Sequence, residues 1–444
     1  MSTQKFIAAM IVCAMPLAAF AQRASRQPVL ALTGVTVIDG TGAPPASNMT
    51  LVIEHDRIVD IFRTGGKALP PNTNVRDLRG HFVIPGLIDA HVHFGANAAV
   101  NGRLQRVLRG GVTTVRVMVG NCPVLKKLAA QATLGEIESP DIYFAAMVIG
   151  PAGLTDPRVA NRRVTNTAAE PDCVRVLRDS FDPVELVTAA KAAGATGMKL
   201  YGDLSAQTAQ RITKEAHRNG LAVWAHATLF PARPSDLVRS GVDVLSHAPY
   251  LIWEAVDKLP VYHERVRSAP FSHVLPSDPA VERTLKLMAK RRTILDATLL
   301  FFNLHATAPP SAGEDFRADR ATYFAAAKWG AEVTRRAREL GVPVAAGTDE
   351  MGGEEENSLP NLHRELQLLV DEAGFTPIQA ISSATSVAAR TLKIEKTVGT
   401  IAVAKLANLV VLRADPTKDI RNTREIALVL KRGKVIGEVR ATGP

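Results

Sequence analysis

Two histidines one residue apart, His91 and His93, close an apolar run that begins at Val83. On an extended strand, residues i and i+2 point to the same face. A strand ending there would aim two imidazoles at one point beyond its tip. Imidazole is the commonest protein ligand for zinc and related ions. Two loop histidines with ordinary hydrogen bonds would satisfy the same spacing, so the pair alone leaves both readings open.

Four further residues shift the balance towards metal. Lys199 lies within the apolar run Gly197–Tyr201, His226 ends Val223–His226, His247 ends Val244–His247, and Asp349 ends Ala345–Asp349. Four imidazoles and a carboxylate can hold one or two divalent ions; zinc is the first candidate, and manganese, cobalt or iron suit the same donors. Such an ion lowers the pKa of bound water and makes hydroxide available near neutral pH. Asp349 is suited to bind metal, take a proton from the attacking water and hand it to the leaving group. A buried lysine needs a partner. Carbamylated by carbon dioxide, Lys199 would become an anion able to bridge two ions. Taken singly, each of these residues has a bland reading: a satisfied core histidine, a helix cap, an ion-paired lysine.

The elements that must position these side chains recur along the chain. Short apolar runs at 83–88, 112–117, 142–148, 197–201, 222–226, 243–247, 293–299 and 342–347 alternate with helical stretches or long loops. Ser205 can cap a helix that stops at Gly220, and Thr376-Pro377-Ile378-Gln379 carries cap, first-turn proline and capping-box glutamine. Eight β/α units predict a (β/α)8 TIM barrel over residues 82–396, with the chemistry at the C-terminal ends of its strands. The long connections 150–182 and 248–279 are then candidate lids and substrate walls. Residues 22–81 and 397–444 both read as short strands and turns, and they are expected to form one small β-sandwich from the two chain ends.

Together these motifs resemble the amidohydrolase superfamily, in the branch of imidazolonepropionase-like enzymes and metal-dependent Xaa-Pro and Xaa-Arg dipeptidases. The carriers are the stretch Pro85–His93, the stretch Gly110–Arg116, Met198–Tyr201, His226, Ser246-His247, Gly347-Thr348-Asp349, and the closing Gly399–Ile401 with Ala407–Leu412. The resemblance implies that His91, His93 and Asp349 bind the more buried ion, His226 and His247 the second, and carbamylated Lys199 bridges them. It implies hydrolysis of an amide or peptide bond, in a dipeptide or an N-acyl amino acid, with Asp349 and His247 as catalytic groups. The alternatives are a cyclic-amide hydrolase with one ion and unmodified Lys199, and a non-catalytic binding protein on the same scaffold. All six metal positions carry usable donors, which argues against the latter. Val117 stands where the branch carries an acidic residue, and Ala404 and Asn408 replace a glycine and an aspartate in the closing motif. Tyr201 and Arg116 are candidate substrate contacts, with core packing and an internal ion pair as their alternatives. Asp296, His305 and Glu354-Glu355-Glu356 read as solvated loop residues.

The 444 residues carry a formal charge of +10 and 46% apolar residues. There is no dense basic run or interleaved aromatic patch, so a nucleic-acid partner is not expected. Met1–Ala21 reads as a secretory signal: Lys5, the apolar stretch Phe6–Ala14, and Ala19-Phe20-Ala21 before Gln22. The mature chain is therefore expected to be secreted or periplasmic. No later segment is apolar enough to span a membrane, and homo-oligomerisation is left open. Of three cysteines, Cys13 falls in the signal, and Cys122 and Cys173 can either pair or remain separate thiols.

Overall fold

The computed structural model describes residues 29–94, 99–155, 173–177, 180–307, 318–353, 355 and 358–438. The signal segment lies outside the described residues, as do Glu354, Glu356 and much of the first long connection.

Strands β1 (Leu30–Val37), β2 (Ala46–Glu54), β3 (Arg57–Arg63), β4 (Asn74–Asp77) and β5 (Phe82–Pro85) come from the N-terminal side. They join strands from the other end of the chain, Leu409–Leu412, Ile426–Lys431 and Lys434–Glu438, in one mixed sheet. The seam is the antiparallel pairing of Leu409–Leu412 with Phe82–Pro85. Leu32, Leu51, Ile58, Val83, Leu409, Val411 and Leu430 pack into a common core there. The expected sandwich therefore forms as a single hydrogen-bonded strand path drawn from both chain ends.

The predicted strand 83–88 is two strands. Phe82–Pro85 belongs to the sandwich, and β6 (Leu87–Val92) opens the barrel. Gly86 stands between them and donates its N–H to the Asn408 carbonyl. A Cβ at Gly86 would collide with the Thr113 side chain, so glycine is what lets one continuous segment cross between modules.

The barrel continues with β7 (Val112–Val117), β8 (Asp141–Ile149), β9 (Val174–Val176, paired outside the ring with β8), β10 (Gly197–Gly202), β11 (Ala222–His226), β12 (Val244–Ser246), β13 (Ile294–Asp296) and β14 (Val344–Ala345). All eight ring strands are parallel. The ring closes where Ala90 N–H meets the Ala346 carbonyl (3.0 Å) and Asp349 N–H meets the His91 carbonyl (2.8 Å). Outward residues such as Val115, Val148, Leu200, Val223, Leu245 and Val344 pack under the helices. Residues Ala145, Ala222, Trp224, Val244, Ile294 and Ala345 fill a separate apolar cluster.

Register explains where polarity begins. Trp224, Val244 and Ile294 pair across adjacent strands; two residues on, so do His226, Ser246 and Asp296. The period of two returns each strand to the same face, so an apolar layer carries a polar one at the strand ends. The strand expected over 293–299 is only three residues long, because the chain turns at Thr298 and enters the helix Leu299–Thr307. That turn is capped from elsewhere: Glu365 accepts the N–H groups of Leu299 (3.1 Å) and Leu300 (2.7 Å). Ser205 and Thr376 cap their helices as expected.

Cys122, which opens the helix Cys122–Leu134, forms a disulfide with Cys173. The bridge fixes the start of β9 beside β8. Among the described residues no helix is long and apolar enough to cross a membrane.

Candidate metal centre

Five side chains foreseen at strand ends, His91, His93, His226, His247 and Asp349, converge on the mouth, with Lys199 within the strand Gly197–Gly202. Asp89 and His91 lie in β6, and His93 follows just beyond its tip. His93 Nε2 lies 2.9 Å from Asp349 Oδ1, and His91 Nε2 lies 3.2 Å from the same oxygen. His247 Nδ1 is 3.9 Å from Asp349 Oδ2. Ligand atoms of His91, His247 and Asp349 lie within 4.8 Å of one another. The His91 and His247 rings are 5.0 Å apart, and His247 and His226 4.6 Å. The four imidazoles thus form a chain of adjacent rings with the carboxylate beside three of them.

Backbone geometry at two of these residues is unusual. His247 has φ 72° and Asp349 has φ 58°. Left-handed backbone costs energy outside glycine, and it concentrates at sites where the surrounding structure enforces it. At Asp349 the enforcement is visible. Asp89 accepts from Thr348 N–H (3.0 Å), Thr348 Oγ1 (2.9 Å) and His91 N–H (3.2 Å), so it locks β6 to the turn that carries Asp349.

Electrostatics sort the group by charge state. Burial pulls the His226 and His247 imidazoles well below their usual range, which keeps them neutral. Burial lowers His93 as well. Burial would also lower His91, but Asp349 and Asp296 on either side outweigh it and raise it. Burial would raise Asp349, yet His91 and His93 hold it well below the usual carboxylate range. Burial lowers Lys199 to about 7, against the pull of Asp296. Its Nζ has no hydrogen-bond partner among the described residues. A buried polar atom left unpaired costs about 1–3 kcal/mol.

Three imidazoles lowered by burial, a fourth held between two carboxylates, an ionised carboxylate and a buried amine awaiting a partner are a donor set that fits a divalent cation. His91, His93, His226, His247 and Asp349 could hold it, and a carbamylated Lys199 would complete it.

Three sequence expectations need correction. Arg116 does not reach a substrate. It is fully buried, pairs with Asp296 (2.8 Å) and lies 4.9 Å from the Trp224 ring. The internal ion pair is what forms, because the side chain points into the ring between the apolar Trp224 layer and the polar Asp296 layer. Asp296 is not a solvated loop residue but the buried end of β13, with His91 Nδ1 at 2.7 Å. His305 lies on the helix Leu299–Thr307 and bonds the Phe301 carbonyl, one turn away, rather than sitting in a loop. Glu355 is exposed.

Tyr201 sits beside the centre, its ring 4.5 Å from that of His226. Sequence reading missed three neighbours. Thr298 Oγ1 lies 2.9 Å from His247 Nδ1, Tyr262 hydroxyl 3.3 Å from His226 Nδ1, and the Tyr250 ring 5.3 Å from that of His247. Tyr250 and Tyr262 lie in the second long connection, where nothing in spacing marks a contact. Val117 packs in the apolar shell under the helices, so that position contributes volume here rather than charge. Asn408 Oδ1 accepts from Arg432 N–H in the sandwich, which places its departure from the motif far from the centre.

Known proteins share this architecture. A Xaa-Pro dipeptidase structure with bound methionine superposes with TM-score 0.72 at 22% identity, covering 92% of this chain and 100% of that one. A candidate prolidase from Bifidobacterium longum gives 0.68 at 25% identity, covering 94% and 96%. In sequence, 93 residues are 34% identical to the N-acyl-D-aspartate deacylase of Alcaligenes xylosoxydans xylosoxydans, 21% of this chain and 18% of that one. The curated relatives matched in this way are spanned over only 13–18% of their length. The model of the Amidohydrolase family matches residues 82–241 and 322–436, more than half of the chain. The chain belongs to the Amidohydrolase family.

Proposed function

We propose that this protein is an exported, metal-dependent hydrolase of an amide or peptide bond, acting on a dipeptide or an N-acyl amino acid. The observation that carries the reading is the convergence of His91, His93, His247 and Asp349 at the C-terminal mouth of the barrel. The activities named for the Xaa-Pro dipeptidase and the N-acyl-D-aspartate deacylase support the choice of bond.

His91, His93 and Asp349 would hold one ion, His226 and His247 a second, with zinc as first choice. Lys199 carries the bridging role once carbamylated. A free amine is the form that reacts with carbon dioxide, and burial brings Lys199 to about 7, where that form is populated near neutral pH. Ions so held supply an electrophile for the scissile carbonyl and a water of lowered pKa. The protein's own groups do the rest. Asp349 is ionised and buried, so an Oδ can accept the proton of the attacking water and deliver it to the leaving nitrogen. His247, kept neutral by burial, retains a ring lone pair for the ion while its Nδ1 rests against Thr298 Oγ1. Tyr201 stands beside His226 as a candidate substrate contact. Export is supported by the disulfide Cys122–Cys173, since such bridges persist in oxidising compartments.

The test is metal content per chain on protein purified without chelator and with bicarbonate, followed by turnover against dipeptide and N-acyl-amino-acid libraries. About two ions and turnover of either class would support the proposal. One ion with turnover of cyclic amides only would replace it with the mononuclear alternative. Intact fold without metal or turnover would leave the non-catalytic reading.

A further inference from the structure

Asp296 lies directly beneath the candidate centre, and the proposed metal chemistry does not use it. Its Oδ2 receives three donors: His91 Nδ1 at 2.7 Å, Arg116 Nη2 at 2.8 Å and Ser246 Oγ at 2.9 Å. Its main-chain carbonyl accepts His247 N–H at 2.9 Å. One residue therefore fixes the side chain of one candidate ligand and the backbone of another. The space for this is built. A Cβ at Gly347 would collide with Asp296 Oδ1 and with the His91 Cβ, so the two can meet only because position 347 carries no side chain. Asp296, Arg116, Ser246 and His91 are all buried, and the ring of Trp224 closes the far side of Arg116.

We infer that Asp296 is a positioning residue that keeps the His91 proton on Nδ1 and so presents the Nε2 lone pair to the ion. The inference rests on the metal-hydrolase reading. A carboxylate on the non-ligating nitrogen of an imidazole fixes its tautomer and ring orientation and raises its basicity, and losing such a partner costs about 10–100-fold in metal affinity. Arg116 balances the charge of Asp296 and Ser246 holds its direction. With Val117 packed away from this face, Asp296 is the carboxylate that bonds Arg116.

The test compares full-length wild type with Asp296→Asn by zinc competition against a chromogenic chelator, and by proton–nitrogen correlation spectra of the His91 ring. Asp296→Asn is expected to bind zinc about 10–100-fold more weakly. Wild type is expected to show a strongly downfield hydrogen on His91 Nδ1, moved upfield in the variant. Should Asp296→Asn not fold, Ser246→Ala removes one donor and leaves the carboxylate, with an expected loss of about 2–10-fold, the range of one ordinary hydrogen bond. Unchanged zinc affinity in the variants would overturn the assignment, as would a wild-type His91 without a hydrogen on Nδ1. If wild type takes up no zinc, the function reading fails instead. The His91 spectrum of the zinc-free chain then decides the Asp296 assignment on its own.

Discussion

Among the described residues two lysines are buried, and their surroundings could hardly differ more. Lys431 ends a sandwich strand and reaches the base of the barrel. Its Nζ donates to the carbonyls of Ala132 (2.8 Å) and Ser139 (2.7 Å) and pairs with Asp141 (2.9 Å). Lys199 sits in the barrel ring below the mouth, 1% exposed, and its Nζ has no hydrogen-bond partner among the described residues. Burial lowers both amines. Only the first has its burial offset by acceptors, so Lys431 acts as a clamp between modules. Lys199 is an uncompensated cost that a modification or an ion would relieve. Burial alone therefore does not separate structure from chemistry in this fold; satisfaction of the buried group does.

The comparison can be broken by substitution. At the mouth, function should fall without stability. Asp349→Asn is expected to lower kcat by about 10²–10⁴-fold while the chain still folds cooperatively; normal turnover by this variant would remove Asp349 from the mechanism. Lys199→Met should likewise abolish turnover, while chemical denaturation of the metal-free variant shows equal or higher stability than wild type. Lys431→Met should do the reverse. It is expected to lose roughly 2–4 kcal/mol of stability, because three acceptors are left buried, yet retain its kcat below the melting transition. If Lys431→Met instead lost activity at full stability, the division between clamp and chemical group would fail.

A second structural tie sharpens the contrast. The bridge between Cys122 and Cys173 closes a loop of 51 residues, so the double alanine variant should lose about 2–4 kcal/mol, measured by denaturant titration against wild type.

The smallest expected effect per step of the measurement is a pH slope. Lys199 titrates at about 7 when folded, far below its usual 10.5. Between those values the unfolded chain holds a proton that the folded chain has released. Stability of the metal-free protein should therefore rise with pH across that window, by at most about 1.4 kcal/mol per pH unit from this group. Lys199→Met should flatten the rise, and an identical slope in the variant would assign it to other groups.

The barrel was legible because its signal is periodic and local. Eight apolar runs separated by helical stretches stand in the order the structure shows, and 112–117 and 222–226 agree with their strands to the residue. Boundaries slipped where one apolar run served two modules, as at Gly86, or where a distant glutamate capped a helix, as Glu365 does at Leu299. Asp296 was misread for a related reason. It follows Thr293-Ile294-Leu295 and precedes an alanine, which marks a strand end or a loop equally well. Its partners His91 and Arg116 lie 205 and 180 residues away, and no local pattern encodes a pairing at that range.

The sequence by itself determined the identity of the donors and their placement at strand ends, since strand period and β/α alternation are properties of neighbouring residues. Tertiary structure alone decided which donors face one another and which charges are satisfied. It placed Asp296 under His91, turned Arg116 inward, joined Cys122 to Cys173 and left Lys199 without an acceptor among the described residues. The reason is physical. Hydrogen bonds and burial depend on distances set by ring closure and register across the whole barrel, and those distances come into being only when all eight strands are in place.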